Sequence, residues 1–351
     1  MKRQWILTLA WIAATLMSFA SAAAQSDESV SRALAWLQTM QRGEGGFSNG
    51  FTQQSDIGTT ADVVLALVSG GREISSWSAG GKSPLDFLEA AAPVVDAPGL
   101  AAKTALAVQA AGLDPRAFGG VNLIALTLEG YSEDAGVFGT GPFDTGLAVL
   151  ALTAAEEPLP ERTVAALVSM RLADGSFSFN GDITPGAGDS NTTALVVQAL
   201  IAAGAQEEVG PSLSYFRSTQ NDDHGWTYQK PSAFGEATDS NSTALVIQAL
   251  LAAGEDLQDW GDPQATLKSF QLPSGAFMYN TSMPEENILA TVQAIPALAG
   301  VDYIKVTRIQ NPGAAGSPMD GTLVLVTLGA LVIILAGIAW MERRRSRALK
   351  E

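Results

Sequence analysis

The sequence predicts an all-α fold, an α6/α6 toroid in which six helical hairpins set an inner ring of helices inside an outer ring, followed by one C-terminal transmembrane helix. Three observations carry the toroid. Residues 189–204, DSNTTALVVQALIAAG, are written again at 239–254 as DSNSTALVIQALLAAG, with 13 of 16 positions identical, and self-similarity at such a period marks a repeat architecture. Pairs of helical segments recur along the chain, their second members opening near Gly58, Gly99, Asp144, Asp189, Asp239 and Glu286, at spacings of 41, 45, 45, 50 and 47 residues. Within each pair the first helix is amphipathic and the second almost wholly apolar, and a helix apolar all round is buried on all sides. An open solenoid would need polar caps at its ends. The last pair, with Leu289, Val292, Ile295 and Leu298, is as apolar as the central ones, so the repeats are expected to close on themselves.

Taken in order, the chain opens MKRQWILTLAWIAATLMSFASAAAQ, two basic residues before an apolar core and a small-residue site, the layout of a secretory signal over residues 1–24. The toroid is expected over 25–309. Its outer helices are read at 29–41, 85–94, 121–128, 160–172, 212–220 and 263–270. Its inner helices are read at 59–69, 100–111, 145–155, 191–203, 241–253 and 287–298. Asp189 or Asn191 can cap one inner helix and Asp239 or Asn241 its echo, with Gly204 and Gly254 supplying the left-handed residue that ends each. A Gly-aromatic turn joins outer to inner helix at Gly46-Phe47, Gly136-Val137-Phe138, Gly175-Ser176-Phe177, Gly225-Trp226 and Gly275-Ala276-Phe277; the second repeat has Asp96-Ala97-Pro98-Gly99 instead. Residues 301–306 read as a short strand. Residues 310–321, NPGAAGSPMDGT, read as a flexible linker. Residues 322–340 carry no charge and would span about 28 Å as a helix, enough for a bilayer core. The basic segment 341–351 after it is expected in the cytoplasm, leaving the main body at the cell surface on a single C-terminal anchor.

Between the expected signal and tail, residues 25–341 hold 13 basic against 34 acidic residues, a net charge of −21. Such a field repels nucleic acid. The absence of cysteine removes disulfides, thiolate metal sites and thiol nucleophiles together, and a single histidine, His224, rules out a histidine-rich metal site. No catalytic or metal-binding residue is therefore assigned. Closure of the ring would gather Asp144, Asp189, Asn191, Asp239 and Asn241 around one mouth, where each can cap a helix and also face a ligand, since a carboxylate has two oxygens. Phe179, Trp226, Tyr228 and Tyr279 follow the Gly turns and can wall that mouth, with Phe177 and Phe277 as fillers between hairpins. Gln109, Gln198, Gln248 and Gln293 are lone polar residues on apolar helices, expected to bond a neighbouring helix.

Gln220 before Gly225-Trp226, and Gln271 before Gly275-Ala276-Phe277, resemble the Gln-Trp repeat of squalene and terpene cyclases, which share this toroid with protein prenyltransferases. That family's Asp-X-Asp-Asp-Thr-Ala acid motif is replaced here by Asp189-Ser190-Asn191-Thr192-Thr193-Ala194, so the protonating carboxyl is missing. The zinc ligands of prenyltransferases are missing with the cysteines. A cyclase or prenyltransferase activity stands as the alternative reading, and a protein-binding or structural toroid as a third. The chain is more similar to the α-domain of the transcobalamin and intrinsic factor family of cobalamin carriers. Phe143-Asp144-Thr145-Gly146-Leu147-Ala148-Val149-Leu150-Ala151-Leu152 resembles that family's D-T-[GA]-x-A-x-L-A-L helix, and residues 191–200 its Y-S-T-x-x-A-x-Q-A-L helix. Val292-Gln293-Ala294-Ile295-Pro296-Ala297-Leu298 with Asp302-Tyr303-Ile304 resembles its closing Q-V-L-P-A-L…K-T-Y-L-D. The resemblance implies a binding protein for cobalamin, another corrinoid or a similar large amphipathic ligand, with no required cofactor. It also implies a separate β-domain or transporter as partner, because this chain lacks the family's small second domain. The ligand-binding set so implied is Asp144, Asp189, Asn191, Asp239, Asn241, Gln293, Trp226, Tyr228, Phe179 and Tyr279.

Overall fold

A computed structural model describes residues 28–309 apart from residue 234. The expected signal, linker, membrane span and basic tail lie outside the described residues. Outer helices are α1 (Glu28–Met40), α3 (Pro84–Ala91), α5 (Leu123–Glu129), α7 (Thr163–Ser169), α9 (Gly210–Thr219) and α11 (Pro263–Ser269). Inner helices are α2 (Ile57–Ser69), α4 (Pro98–Ala110), α6 (Pro142–Ala154), α8 (Ser190–Ala202), α10 (Ser240–Ala252) and α12 (Ile288–Ala299). The inner helices pack in the cyclic order α2, α4, α6, α8, α10, α12 and back to α2. All six expected hairpins are present and the ring is closed.

One joint, repeated with small variations, fixes each inner helix. Asp56, Asp189, Asp239 and Asn287 are N-caps whose side chains accept from the backbone N–H three residues on, at Thr59, Thr192, Ser242 and Ala290. A threonine four residues after the cap position then accepts from the backbone N–H of the turn aromatic. Thr60 serves Phe47, Thr145 Phe138, Thr193 Phe177, Thr243 Trp226 and Thr291 Phe277, at 2.9–3.0 Å. The joint satisfies donors that a helix N-terminus leaves free. Its turn is also wedged against the next repeat. A Cβ built on Gly175 (φ +93°) would lie 2.1 Å from the carbonyl oxygen of Pro211 on α9, and one on Gly275 (φ +100°) would lie 2.4 Å from that of Arg32 on α1. Only glycine tolerates both the left-handed backbone and that approach. The second contact closes the outer layer across the seam between last and first repeats. Arg32 donates there to Leu272 O at 2.7 Å, and Gln271 Nε2 to Ser29 O at 2.8 Å.

The expected strand at 301–306 is instead helical. Asp302 accepts from the N–H groups of Ile304 and Lys305 at 2.9 and 2.8 Å, nucleating α13 (Tyr303–Ile309). The axis turns by 77° between α12 and α13, and α13 packs on α2, α4, α6 and α8. It forms a floor across the C-terminal end of the inner ring, and Tyr303 N–H donates to Gln198 Oε1 at 2.9 Å. Among the described residues the only sheet is a two-stranded hairpin, β1 (Tyr131–Ser132) with β2 (Val137–Phe138). No single described helix is long and apolar enough to cross a membrane.

Candidate functional site

The inner helices start in register, so like positions form tiers around the lumen. Their second residues are Gly58, Gly99, Phe143, Asn191, Asn241 and Leu289; their sixth are Asp62, Lys103, Leu147, Leu195, Leu245 and Gln293. On helices otherwise almost wholly buried, the first tier and Asp62, Lys103 and Gln293 are half-buried. The lumen is therefore open at the N-terminal ends of the inner helices. At the next tier, Leu65, Gln248 and Pro296 join Tyr303, Ser69 and Asp302 around a cavity of about 20 Å³, room for one water. Within the described toroid the lumen is bowl-shaped, with half-buried residues at its mouth and α13 across its base.

Around the rim, the segments after the Gly175, Gly225 and Gly275 turns cross to the preceding inner helix. Tyr228 and Tyr279 carbonyls accept from Ser190 and Ser240 N–H at 2.8 and 2.9 Å. Their phenol rings stand beside the Asp189 and Asp239 carboxyls. Phe179 stacks on Phe143 with centroids 4.8 Å apart. Phe51, Phe179, Ile183, Tyr228 and Met283 are exposed on these mouth-side loops.

Burial raises the carboxyls of both Asp189 and Asp239 to about 6, against the pull of their helix N–H groups. Desolvation also raises the phenols of Tyr228 and Tyr279 to about 12, the adjacent carboxylates adding to it. Asp189 Oδ2, Asn191 Oδ1, Asn241 Oδ1 and Gln293 Oε1 are buried oxygens without a hydrogen-bond partner, an arrangement that costs free energy unless a donor arrives.

The sequence-derived residues separate into groups. Asn191, Asn241 and Gln293 line the bowl. Tyr228, Tyr279 and Phe179 form its rim. Asp189 and Asp239 lie at the rim but are 1% exposed and cap α8 and α10. Asp144 does not correspond to them: it is the third residue of α6, whose N-cap is Gly141, and its Oδ2 accepts from Thr140 N–H and Oγ–H, both at 2.9 Å. Trp226 is a correction. It is fully buried, its Nε1 donating to Phe216 O at 2.8 Å, so it fills the gap between hairpins and walls no mouth. The glutamines also differ. Gln109 bonds Ala151 on the neighbouring inner helix, whereas Gln198 bonds its own helix and α13, and Gln248 reaches both its own helix and Gln293 O.

Sequence reasoning missed four residues: Phe143, Tyr303, and the pair Asp62 and Lys103. Lys103 Nζ lies 3.0 Å from Asp62 Oδ2, with side chains 23% and 12% exposed. Burial raises the Asp62 carboxyl and Lys103 opposes the shift. The signal was available, since each is the one charge on an otherwise uncharged inner helix.

No family model matches the chain, and no curated protein matches it. Solved structures do. Haptocorrin in complex with Cbi is 14% identical with a TM-score of 0.54, over 85% of this chain and 73% of that one. Unsaturated glucuronyl hydrolase specific for heparin is 13% identical with a TM-score of 0.57, over 78% and 95%. The type II terpene cyclase MstE from Scytonema is 15% identical with a TM-score of 0.56, over 77% and 96%. Haptocorrin, a hydrolase and a cyclase are thus each similar to this chain at low identity, and what the likeness shows for this chain is the fold: an α/α toroid.

Proposed function

We propose that this protein is a membrane-anchored, extracytoplasmic binding protein whose mouth holds a large amphipathic ligand, a corrinoid being the best fit. The observation that carries the reading is the row of partnerless buried acceptors on Asp189, Asn191, Asn241 and Gln293, set below a rim of exposed aromatic side chains. Acceptors without donors suit a ligand edged with N–H groups, and aromatic rims suit a flat apolar face. The corrinoid macrocycle has both. The fold likeness to haptocorrin, a structure solved with Cbi, agrees with the choice.

A closed floor argues against the cyclase alternative. Ligand pockets that enclose a substrate run to about 300–1,000 Å³, whereas the cavity at the base of this lumen is about 20 Å³. The ligand therefore sits in the bowl rather than inside the ring, with one face left uncovered. Each Å² of apolar surface so exposed forfeits roughly 25 cal/mol, so binding by this chain alone is weak, and a separate domain or transporter completes the site.

The test is a titration of the full-length protein in detergent with dicyanocobinamide, followed by the absorbance of the corrin ring. A saturable spectral shift supports the reading. No shift up to near-millimolar ligand removes it in favour of a protein-binding toroid, which the exposed Phe51, Ile183 and Met283 at the rim would serve.

A further inference from the structure

The sixth-residue tier of the bowl is divided by chemistry. Gln293, Asp62 and Lys103 stand on three consecutive members of the ring, α12, α2 and α4, while Leu147, Leu195 and Leu245 occupy α6, α8 and α10. The first tier does not repeat that division, since Leu289 stands above Gln293 and two asparagines stand above leucines. Gly58 and Gly99 stand above the charged pair, whereas Phe143, Asn191 and Asn241 stand above the leucines. A Cβ built on Gly58 would have Asp56 Oδ1 at 3.4 Å, Leu100 Cδ1 at 3.7 Å and Lys103 Cδ at 4.0 Å as its nearest neighbours, so the missing side chain leaves room beside the Lys103 stem.

The polar arc has unused capacity of both kinds. Lys103 has three N–H donors and gives one to Asp62 Oδ2. Gln293 Oε1 is buried and partnerless, and its residue and Asp62 line the same cavity. We propose that Asp62, Lys103 and Gln293 form the polar subsite of the bowl and select a primary carboxamide on the ligand, whose oxygen accepts from Lys103 and whose NH2 donates to Gln293 Oε1 and the Asp62 carboxylate. A carboxylate in the same place would gain Lys103 but meet the charge of Asp62 and two acceptors it cannot satisfy. The subsite rests on the ligand reading above and narrows it to amide-edged molecules.

The experiment compares two corrinoids with full-length protein in detergent: dicyanocobinamide, with carboxamides around the ring, and dicyanocobyrinic acid, with carboxylates in their place. The parent should bind the amide at least tenfold more tightly. Two variants report on the subsite without leaving a lone buried charge. Asp62→Leu with Lys103→Met replaces the pair by apolar groups. Gly58→Leu keeps the pair and covers it, in a residue change that favours the helix. Each should retain the parent's cooperative melt, lower amide affinity at least tenfold and leave carboxylate affinity within about twofold. The doubly substituted pair decides: unchanged amide affinity there overturns the subsite while the ligand reading stands, as does a parent that prefers the carboxylate. A parent that binds neither corrinoid takes down both.

Discussion

Replacing Asp189 by Asn should stabilise this protein at neutral pH, and the gain should vanish in acid. Asp189 caps α8 through Oδ1, which accepts from Thr192 N–H at 2.7 Å, and Asn caps a helix about as well as Asp. The cap itself is therefore kept. What is removed is a carboxylate that burial holds at about 6 against an ordinary 3.8. A carboxyl raised in the native state keeps its proton longer there than in the unfolded chain, so stability is greatest below the unfolded value and falls as pH climbs from about 4 through about 6. At roughly 1.4 kcal/mol per pH unit, that window is worth about 3 kcal/mol at pH 7.5. The new amide places N–H donors where Oδ2 had no partner, at a cost of about 1 kcal/mol. The expected gain is about 2 kcal/mol at pH 7.5 and near zero at pH 4. Urea unfolding of parent and variant at both pH values measures it, and the difference between the two proteins cancels the shared acidic self-repulsion of the chain. A difference independent of pH, or a variant less stable at pH 7.5 than at pH 4 relative to the parent, would refute the burial argument.

Other perturbations probe the joints and the floor. Thr193→Val removes the acceptor of the Phe177 N–H without changing shape, and should lower unfolding free energy by about 1–3 kcal/mol; equal stability in urea would mean that this joint is dispensable. Gly175→Ala meets both a left-handed backbone and the Pro211 carbonyl, so a loss above about 2 kcal/mol is expected, against less than about 1 for Gly210→Ala, where a Cβ meets nothing within 4 Å. Lys103→Met alone strands Asp62, and should cost about 3 kcal/mol that Asp62→Leu then restores, the double variant being near neutral in thermal melts.

The repeat count, the order of outer and inner helices and closure were legible because they rest on composition: an inner helix must be apolar on every face, and six such segments recur. Register was less legible. The sequence places Asp144 beside Asp189 as its counterpart, but the cap position is fixed by the threonine four residues later, which makes Gly141 the equivalent residue and Asp144 a member of the first turn. Residues 301–306 read as a short strand, and the Asp302 cap with packing against four inner helices makes them helical instead. Trp226 looked like a rim aromatic because sequence shows that it follows a turn but not which way it points; Tyr228, two residues on, takes the exposed place. The charged pair was missed for a different reason. Asp62 and Lys103 lie 41 residues apart, and only the shared register of α2 and α4 turns two isolated charges into one site.

Capping alone does not explain the acids at the rim. Asn287 makes the same joint in the sixth repeat with a neutral side chain, its Oδ1 accepting from Ala290 N–H at 2.9 Å and Thr291 serving Phe277 as Thr193 serves Phe177. The fold thus does not need a charge at the cap, and at Asp189 and Asp239 it carries one that burial opposes. Those same two caps have tyrosines standing over them, Tyr228 and Tyr279. Groups that cost stability can persist where function uses them, and under the proposed function the two carboxyls would serve the ligand as well as the helix. The double variant Asp189→Asn with Asp239→Asn separates the roles. It should be at least as stable as the parent at pH 7.5 and bind dicyanocobinamide severalfold more weakly. Unchanged affinity would return both residues to capping, and leave Asn191, Asn241 and Gln293 as the acceptors at the mouth.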